Sequence, residues 1–292
     1  MTNQRTDIYA EVTNKIITAL ENNTRPWIKP WDDGVLSLQL RYNGESYKGV
    51  NSLILWLEAS EKNYNPIYWM TFKQARALGG QVRKGEKATS IFYSGTIKEE
   101  KEDSNNEEEK FKRFMKSYAV FNVQQIDSLP EKYYTKIEKS TEDVTIDKLP
   151  KVENFILNTK AKINHGGNRA YYSETEDYIQ MPLIESFKTN NSYYTTLCHE
   201  LTHWTKHKTR LDRNLGAKRY GDQGYAVEEL IAEIGAVFVS VVLGISPDVR
   251  EDHAPYIASW LKVLKSDKKA IFNAASLAQK AADYLLTSDK TE

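Results

Sequence analysis

Cysteine is nearly absent from this chain: its 292 residues include one, Cys198. A single thiol excludes an internal disulfide and fits a reducing compartment. Net charge is missing too. Forty basic residues balance 40 acidic ones, which argues against attraction of the whole molecule to nucleic acid. Nowhere do eighteen apolar residues run together, and residues 1–6 are polar with no apolar stretch behind them. No membrane span, signal peptide or membrane partner is therefore expected, and a cytoplasmic location is the default. What the chain does have is 40% hydrophobic and 11% aromatic residues, enough to bury proper cores in one large or two moderate domains.

Histidine is scarce, with five in all, yet two lie in the run Cys198-His199-Glu200-Leu201-Thr202-His203. Residues four apart share a helix face. His199 and His203 can therefore present ring nitrogens to one zinc ion, with Glu200 aimed at the water that the metal activates. Tyr193, Tyr194, Leu197, Leu201 and Trp204 form an apolar stripe that would bury this helix. Cys198 is turned about 100° from His199 and is expected to pack as a small apolar residue.

Catalytic zinc sites usually have three protein ligands. The third is expected in the run 225–238, an apolar helix interrupted by Glu228, Glu229 and Glu233. Glu229 and Glu233 are four apart and face inward with Ala226, Ala236 and Val237, whereas Glu228 is rotated toward the edge. Glu229 is the expected ligand. Glu233 is expected to accept a hydrogen bond from the outer nitrogen of one histidine. The exchange of Glu229 and Glu233 stays open. The pattern resembles the gluzincin class of zinc metallopeptidases, in which the first acid of the second helix binds the metal.

Apolar periodicity predicts helices over 7–23, 51–60, 71–78, 152–161, 191–207 and 228–243, and two more within 255–286. Strands are predicted at 90–97 and 116–123, flanking an acidic, polar loop or insertion over 98–113, and again within 169–181. The run 131–150 reads as a linker. The expected organisation is α+β: a small α+β domain over 1–130, the linker, and a mainly helical domain with a small edge sheet over 151–292. Asp177 to Met181, before Pro182, is the best candidate for the edge strand that would pair with an extended substrate.

The blocks Pro26-Trp27-x-x-Pro30-Trp31, Tyr47-x-Gly49-x-Asn51, Trp69-x-Thr71, Gly79-Gly80-x-Val82-Arg83-Lys84-Gly85-Glu86 and Ala119-Val120-Phe121-Asn122 resemble the N-terminal domain of ArdC-type antirestriction proteins, which also begins certain plasmid conjugation primases. The blocks His199-Glu200-x-x-His203-Trp204, Arg210-Leu211, Tyr225-Ala226-x-Glu228-Glu229-Leu230 and Tyr256-Ile257-x-Ser259-Trp260-Leu261 are similar to the zincin-like (gluzincin) metallopeptidase domain of the same proteins.

The resemblance implies a protein of a mobile element that binds single-stranded DNA and holds one Zn2+ per chain. Single strands need aromatic faces and cations. Trp27, Trp31, Tyr47 and Trp69 are the candidate stacking residues, with Arg83, Lys84 and Lys87 on phosphates. In the second domain Glu200 would act as general base and Tyr225 or His165 as an oxyanion donor. The expected partners are single-stranded DNA and a protein substrate such as a host defence enzyme. The alternative is a DNA-coating protein with a structural or vestigial zinc site.

Overall fold

A computed structural model of the chain describes residues 7–22, 24–27, 36–64, 67–98, 111–134, 149–216, 223–247 and 254–287. Trp31, the acidic run 99–110 and most of the expected linker lie outside the described residues. The first half of the chain runs α1 (Ile8–Glu21), β1 (Leu40–Arg41), α2 (Val50–Lys62), β2 (Tyr68–Met70), α3 (Phe72–Ala77), β3 (Gln81–Val82), β4 (Thr89–Lys98), β5 (Phe111–Asn122) and β6 (Ile126–Asp127). The second half runs α4 (Leu149–Thr159), β7 (Ile163–His165), β8 (Tyr171–Ser173), β9 (Tyr178–Met181), α5 (Asn190–Trp204), α6 (Gln223–Leu243), α7 (Ala254–Ser266) and α8 (Ala270–Thr287). The class is α+β, with sheets formed mostly by antiparallel neighbours, the three-stranded one packed on α5.

Packing divides the chain into two compact units that do not follow chain order. Met1–Leu38 and Lys48–Ser60 cluster with Glu138–Glu292, while Gln39–Tyr47 and Glu61–Ile137 form the other unit. Helices α1 and α2, which the sequence groups with the N-terminal half, thus share a core with the metal-motif helices. The cause is local. Helix α1 buries the stripe Val12, Ile16, Ala19 and Leu20 and is capped by Asp7, whose carboxylate accepts from Tyr9 N and Ala10 N. Its Thr13 hydroxyl donates to the Lys268 carbonyl ahead of α8, and Trp56 of α2 lies 5.7 Å from the Phe238 ring of α6.

The second unit is built on a four-stranded sheet of order β1-β2-β5-β4, with β1 and β2 parallel and the other pairs antiparallel. One face packs Met70 against Ala75, Val82, Val123 and Ile126. Helix α3 starts at a capping box in which Thr71 Oγ1 accepts from Gln74 N and Gln74 Oε1 accepts from Thr71 N.

In the first unit α6 packs against α5, α7 and α8. Almost every residue of α6 from Ala226 to Ser240 is buried. The alanines of α8 at 270, 274, 275, 278, 281 and 282 are buried and allow close helix approach. Helices α5 and α6 approach closely at Gly235, where an added Cβ would stand 2.6 Å from Thr202 Cγ2. This contact brings the acids of α6 within reach of the histidines of α5.

The small sheet has order β7-β9-β8, so β9 is central, parallel to β7 and antiparallel to β8. This corrects the expectation that 177–181 is an edge strand: both its sides are hydrogen-bonded, and among the described residues the edges are β7 and β8. Three-residue strands are too short for a period to be read, which is why β7 was not anticipated. Arg210 ties this sheet to the end of α5. Its guanidinium lies 3.9 Å over the Trp204 ring and pairs with Asp177 in the turn between β8 and β9.

Candidate metal centre

Helix α5 begins at Thr189, whose side chain accepts from Ser192 N, and is buried from Tyr193 to Trp204. One turn apart on it, His199 and His203 bring their Nε2 atoms to 3.1 Å of each other. The carboxylate of Glu229 stands 3.5 Å from each Nε2. These three buried side chains form a possible metal-holding group, with one ligand atom from each and all of those atoms within 4.8 Å of one another. A metal with bonds of about 2.0–2.2 Å in tetrahedral array needs ligand atoms about 3.3–3.6 Å apart. The nitrogen–oxygen distances fall in that range and the nitrogen–nitrogen distance falls just short of it, so the residues fit a metal ion.

Around them stand two further carboxylates, each held by an arginine. Glu228 Oε1 lies 3.1 Å from His203 Nδ1, and the carboxylate accepts from Arg213 as a bidentate pair, Oε1 from Nη2 at 2.7 Å and Oε2 from Nε at 2.8 Å. Arg213 also donates to the Thr202 carbonyl and to Thr205 Oγ1. Glu233 lies 3.8 Å from His199 Nδ1, longer than a hydrogen bond, and accepts from Arg25 at 3.1 Å.

The expectation that Glu228 turns to an edge is therefore corrected. It is buried, and the bidentate arginine offsets the desolvation of its charge. At hydrogen-bond distance from an outer histidine nitrogen stands Glu228, on His203, while Glu233 is farther from its histidine. A signal was available, since a helix buried on every side leaves no solvated edge and each of its acids needs a partner. Arg213, in the turn after α5, and Arg25, just before Pro26, belong to no periodic pattern.

In the metal-free protein burial by itself would depress the His203 pKa, but Glu229 and Glu228 outweigh it and hold it at about 10. Burial would raise the Glu229 pKa, and the two histidines instead keep it well below the usual carboxylate range. With His203 protonated, both of its nitrogens carry protons, Nδ1 at 3.1 Å from Glu228 and Nε2 between His199 Nε2 and Glu229. An unfolded histidine titrates near 6.5. The folded value is higher, so the proton stabilises the metal-free fold fully below about pH 6.5, and that contribution fades as pH rises through 10. A metal must displace this proton. Loading at about pH 7 to 8 is expected to release roughly one proton per chain, with apparent affinity rising close to tenfold per pH unit. Calorimetry in two buffers of different ionisation enthalpy counts the proton, and a count of zero would contradict this arrangement.

Arg213→Met strands Glu228 as a buried charge. We expect a loss of about 3–5 kcal/mol in stability and metal affinity weaker by about 10–100-fold. Chelator-treated melting and metal titration read the two effects separately.

Glu200, one residue beyond His199 on α5, is 4% exposed. Tyr225, near the start of α6, stacks on Tyr256, with the two hydroxyls 3.4 Å apart. Burial first, then Tyr256 and Glu229, push its phenol well above the ordinary range, so it stays a proton donor. His165 is exposed on β7, with Nε2 2.8 Å from the Tyr193 hydroxyl. Burial pushes the Cys198 thiol up to about 12, in keeping with a packed, unreactive side chain.

The nucleic-acid candidates fare differently. Trp27 and Trp69 are fully buried and Tyr47 nearly so. Trp27 packs edge-on against Trp260 of α7, while Trp69 donates its indole N–H to Gln39 and the Tyr47 hydroxyl donates to the Trp69 carbonyl. These three are corrected to core residues. Burying a tryptophan is worth roughly 3–5 kcal/mol, against about 1–3 kcal/mol for a stacked base. Arg83 is half-exposed and already paired with Glu86, Asp127 and the Gln124 carbonyl. Lys84 and Lys87 are exposed.

Comparison with known proteins finds relatives of both halves of the chain. Residues 6–121 match the family described as the N-terminal domain of anti-restriction factor ArdC, and residues 150–277 match zincin-like metallopeptidase. The crystal structure of the antirestriction ArdC protein from plasmid R388, metal-free, superposes with TM-score 0.82 at 46% identity, covering 97% of this chain and 98% of that one. The chain belongs to the ArdC antirestriction family. A second R388 ArdC structure, with Mn(II) bound, matches this ArdC-family chain at TM-score 0.81 and 45% identity. The uncharacterised protein y4eC of Sinorhizobium fredii (strain NBRC 101917 / NGR234) is 36% identical over 96% of this chain and 92% of its own length. A DNA primase TraC of Escherichia coli is 37% identical over 96% of this chain, which spans 20% of that primase. Among the described residues no helix is long and apolar enough to cross a membrane.

Proposed function

We propose that this ArdC-family chain is a metal-dependent peptidase that acts in antirestriction while bound to single-stranded DNA. The observation that carries the catalytic half is the convergence of His199, His203 and Glu229 beside Glu200 on buried helices. In this reading His199, His203 and Glu229 hold one Zn2+. The Mn(II)-bound relative makes manganese the competing ion, and metal analysis of protein purified without added metal decides between them. When bound, the metal supplies Lewis acidity toward water and a substrate carbonyl. Glu200 takes the proton from the attacking water and delivers it to the leaving amine. The Tyr225 hydroxyl donates toward the developing oxyanion. Glu228 with Arg213 keeps the His203 imidazole in the tautomer and orientation that turns Nε2 inward, and Arg25 holds the Glu233 carboxylate near His199. The substrate proposed is a protein, such as a host defence enzyme, and the setting is the cytoplasm.

Burial of Glu200 to 4% exposure favours a second reading, a DNA-coating protein whose metal is structural, since a polypeptide must reach that carboxylate to be cut.

The DNA half rests on the match to the ArdC N-terminal domain and on exposed Lys84 and Lys87 in the turn after β3. A gel shift at low salt with single-stranded and duplex oligonucleotides tests it. Retention of the single strand, weakening as salt rises, is the expected result, and no retention at low salt removes the assignment.

A further inference from the structure

Burial of Trp27, Tyr47 and Trp69 leaves the DNA reading without most of its expected stacking residues, and the β4–β5 hairpin offers others. Within the second unit, the side of the hairpin that is buried at Ile91 and Val120 continues outward as Tyr93, Lys116 and Phe114. The register sets Lys116 opposite Tyr93 and Phe114 opposite Gly95, and the two-residue alternation of a strand keeps them all on one face. Tyr93 is 58% exposed. Its ring centroid lies 5.9 Å from that of Phe114, and Lys116 Nζ lies 5.3 Å from the Phe114 centroid.

Gly95 makes room for this group. A Cβ there would stand 2.8 Å from Cε1 and Cζ of Phe114, so only glycine lets the ring lie across the ladder. Toward the body of the sheet the same face carries half-buried Tyr118. The register sets Arg41 opposite Trp69 and Trp69 opposite Asn122, on this same face, and Arg41 stands 5.4 Å over the Tyr47 ring and is paired on one side with exposed Glu45 at 3.2 Å. Arg41, Tyr118, Lys116 and the Tyr93–Phe114 pair thus place aromatic and cationic groups together on one face.

A cross-strand aromatic pair that served only the hairpin would need neither flanking cations nor an exposed ring. Non-specific binding of a single strand needs both: π-faces for bases and cations that track the backbone. We propose that this face of β4–β5 is a base-stacking surface for single-stranded DNA, with Tyr93 and Phe114 under successive bases and Lys116 and Arg41 at phosphates. It rests on the DNA reading above. The two-residue repeat along a strand, about 6.8 Å, is of the same order as the step between bases in an extended single strand.

Fluorescence anisotropy of a labelled oligothymidine at low salt tests the surface. Wild type binds, Tyr93→Ala and the double variant Tyr93→Ala/Phe114→Ala bind about ten-fold and more weakly, and Tyr93→Trp binds as well as wild type. Lys116→Gln lowers the dependence of log affinity on log salt by roughly one. Melting temperature and metal content report folding, and exposed Tyr93→Ser keeps the measurement available if the double variant unfolds. Failure of wild type to bind overturns the DNA reading and this surface together. Binding by wild type with equal binding by every variant overturns this surface alone.

Discussion

Glu200→Gln is expected to keep about one metal ion per chain, the wild-type melting temperature and single-stranded DNA binding, while protection of incoming DNA against restriction collapses. The substitution is isosteric and leaves His199, His203 and Glu229 untouched, so the site that holds the metal is preserved. What disappears is the group able to accept a proton in the reaction, and loss of a general base costs about 10²–10⁴ in rate. The buried position of Glu200 beside His199 makes the comparison clean, because an amide there introduces no new volume. Protection is scored by plasmid transfer into restricting and non-restricting recipients, with metal content and DNA affinity measured on the same preparations. If Glu200→Gln protects as well as wild type, the peptidase reading fails and the structural-metal reading stands.

His199→Ala is expected to carry almost no metal where wild type carries about one ion per chain. It removes one of three converging donors, and two cannot hold a labile metal through purification. The stabilisation that wild type gains from metal, about 2.7 kcal/mol at a free concentration 100 times Kd, should vanish, so added metal raises the melting temperature of wild type and leaves the variant unmoved. Glu229→Gln should behave as His199→Ala does. Glu233→Gln should bind metal with the modest weakening of a supporting group, about 10–100-fold, because its carboxylate is 3.8 Å from an outer nitrogen and held by Arg25. The reverse order for the two glutamates would exchange their roles, and equal metal in wild type and His199→Ala would exclude this site.

The helices of the metal-motif unit were largely legible, because apolar residues at helical spacing reflect a buried face whatever the partner. Helices α1, α2, α5 and α6 lie within a few residues of their predicted spans, and the strands β4 and β5 appear on either side of the acidic run as expected. The inward direction of Glu229 was legible for the same reason, its spacing from Ala226, Ala236 and Val237. The tryptophans misled. Composition cannot separate a ring that stacks on a base from one that fills a core, and Trp27 and Trp69 are decided by Trp260 and Gln39, more than two hundred and exactly thirty residues distant respectively in the chain. Glu228 misled as well, because periodicity ranks helix faces by average polarity and does not see that Arg213, fifteen residues earlier, removes the cost of burying its charge.

By itself the sequence determined the metal-motif helix, the acid-bearing helix that answers it, and the family to which both belong, because ligand spacing and helical period are local properties that neighbouring residues impose. Only the tertiary structure decided the rest: that Gly235 lets the two helices close until Glu229 stands 3.5 Å from both imidazoles, that Arg25 and Arg213 secure the outer carboxylates, and that α1 and α2 share a core with the metal site. Those outcomes depend on which distant surfaces bury each other, and burial is settled by the free energy of the whole packed unit, not by any window of the chain.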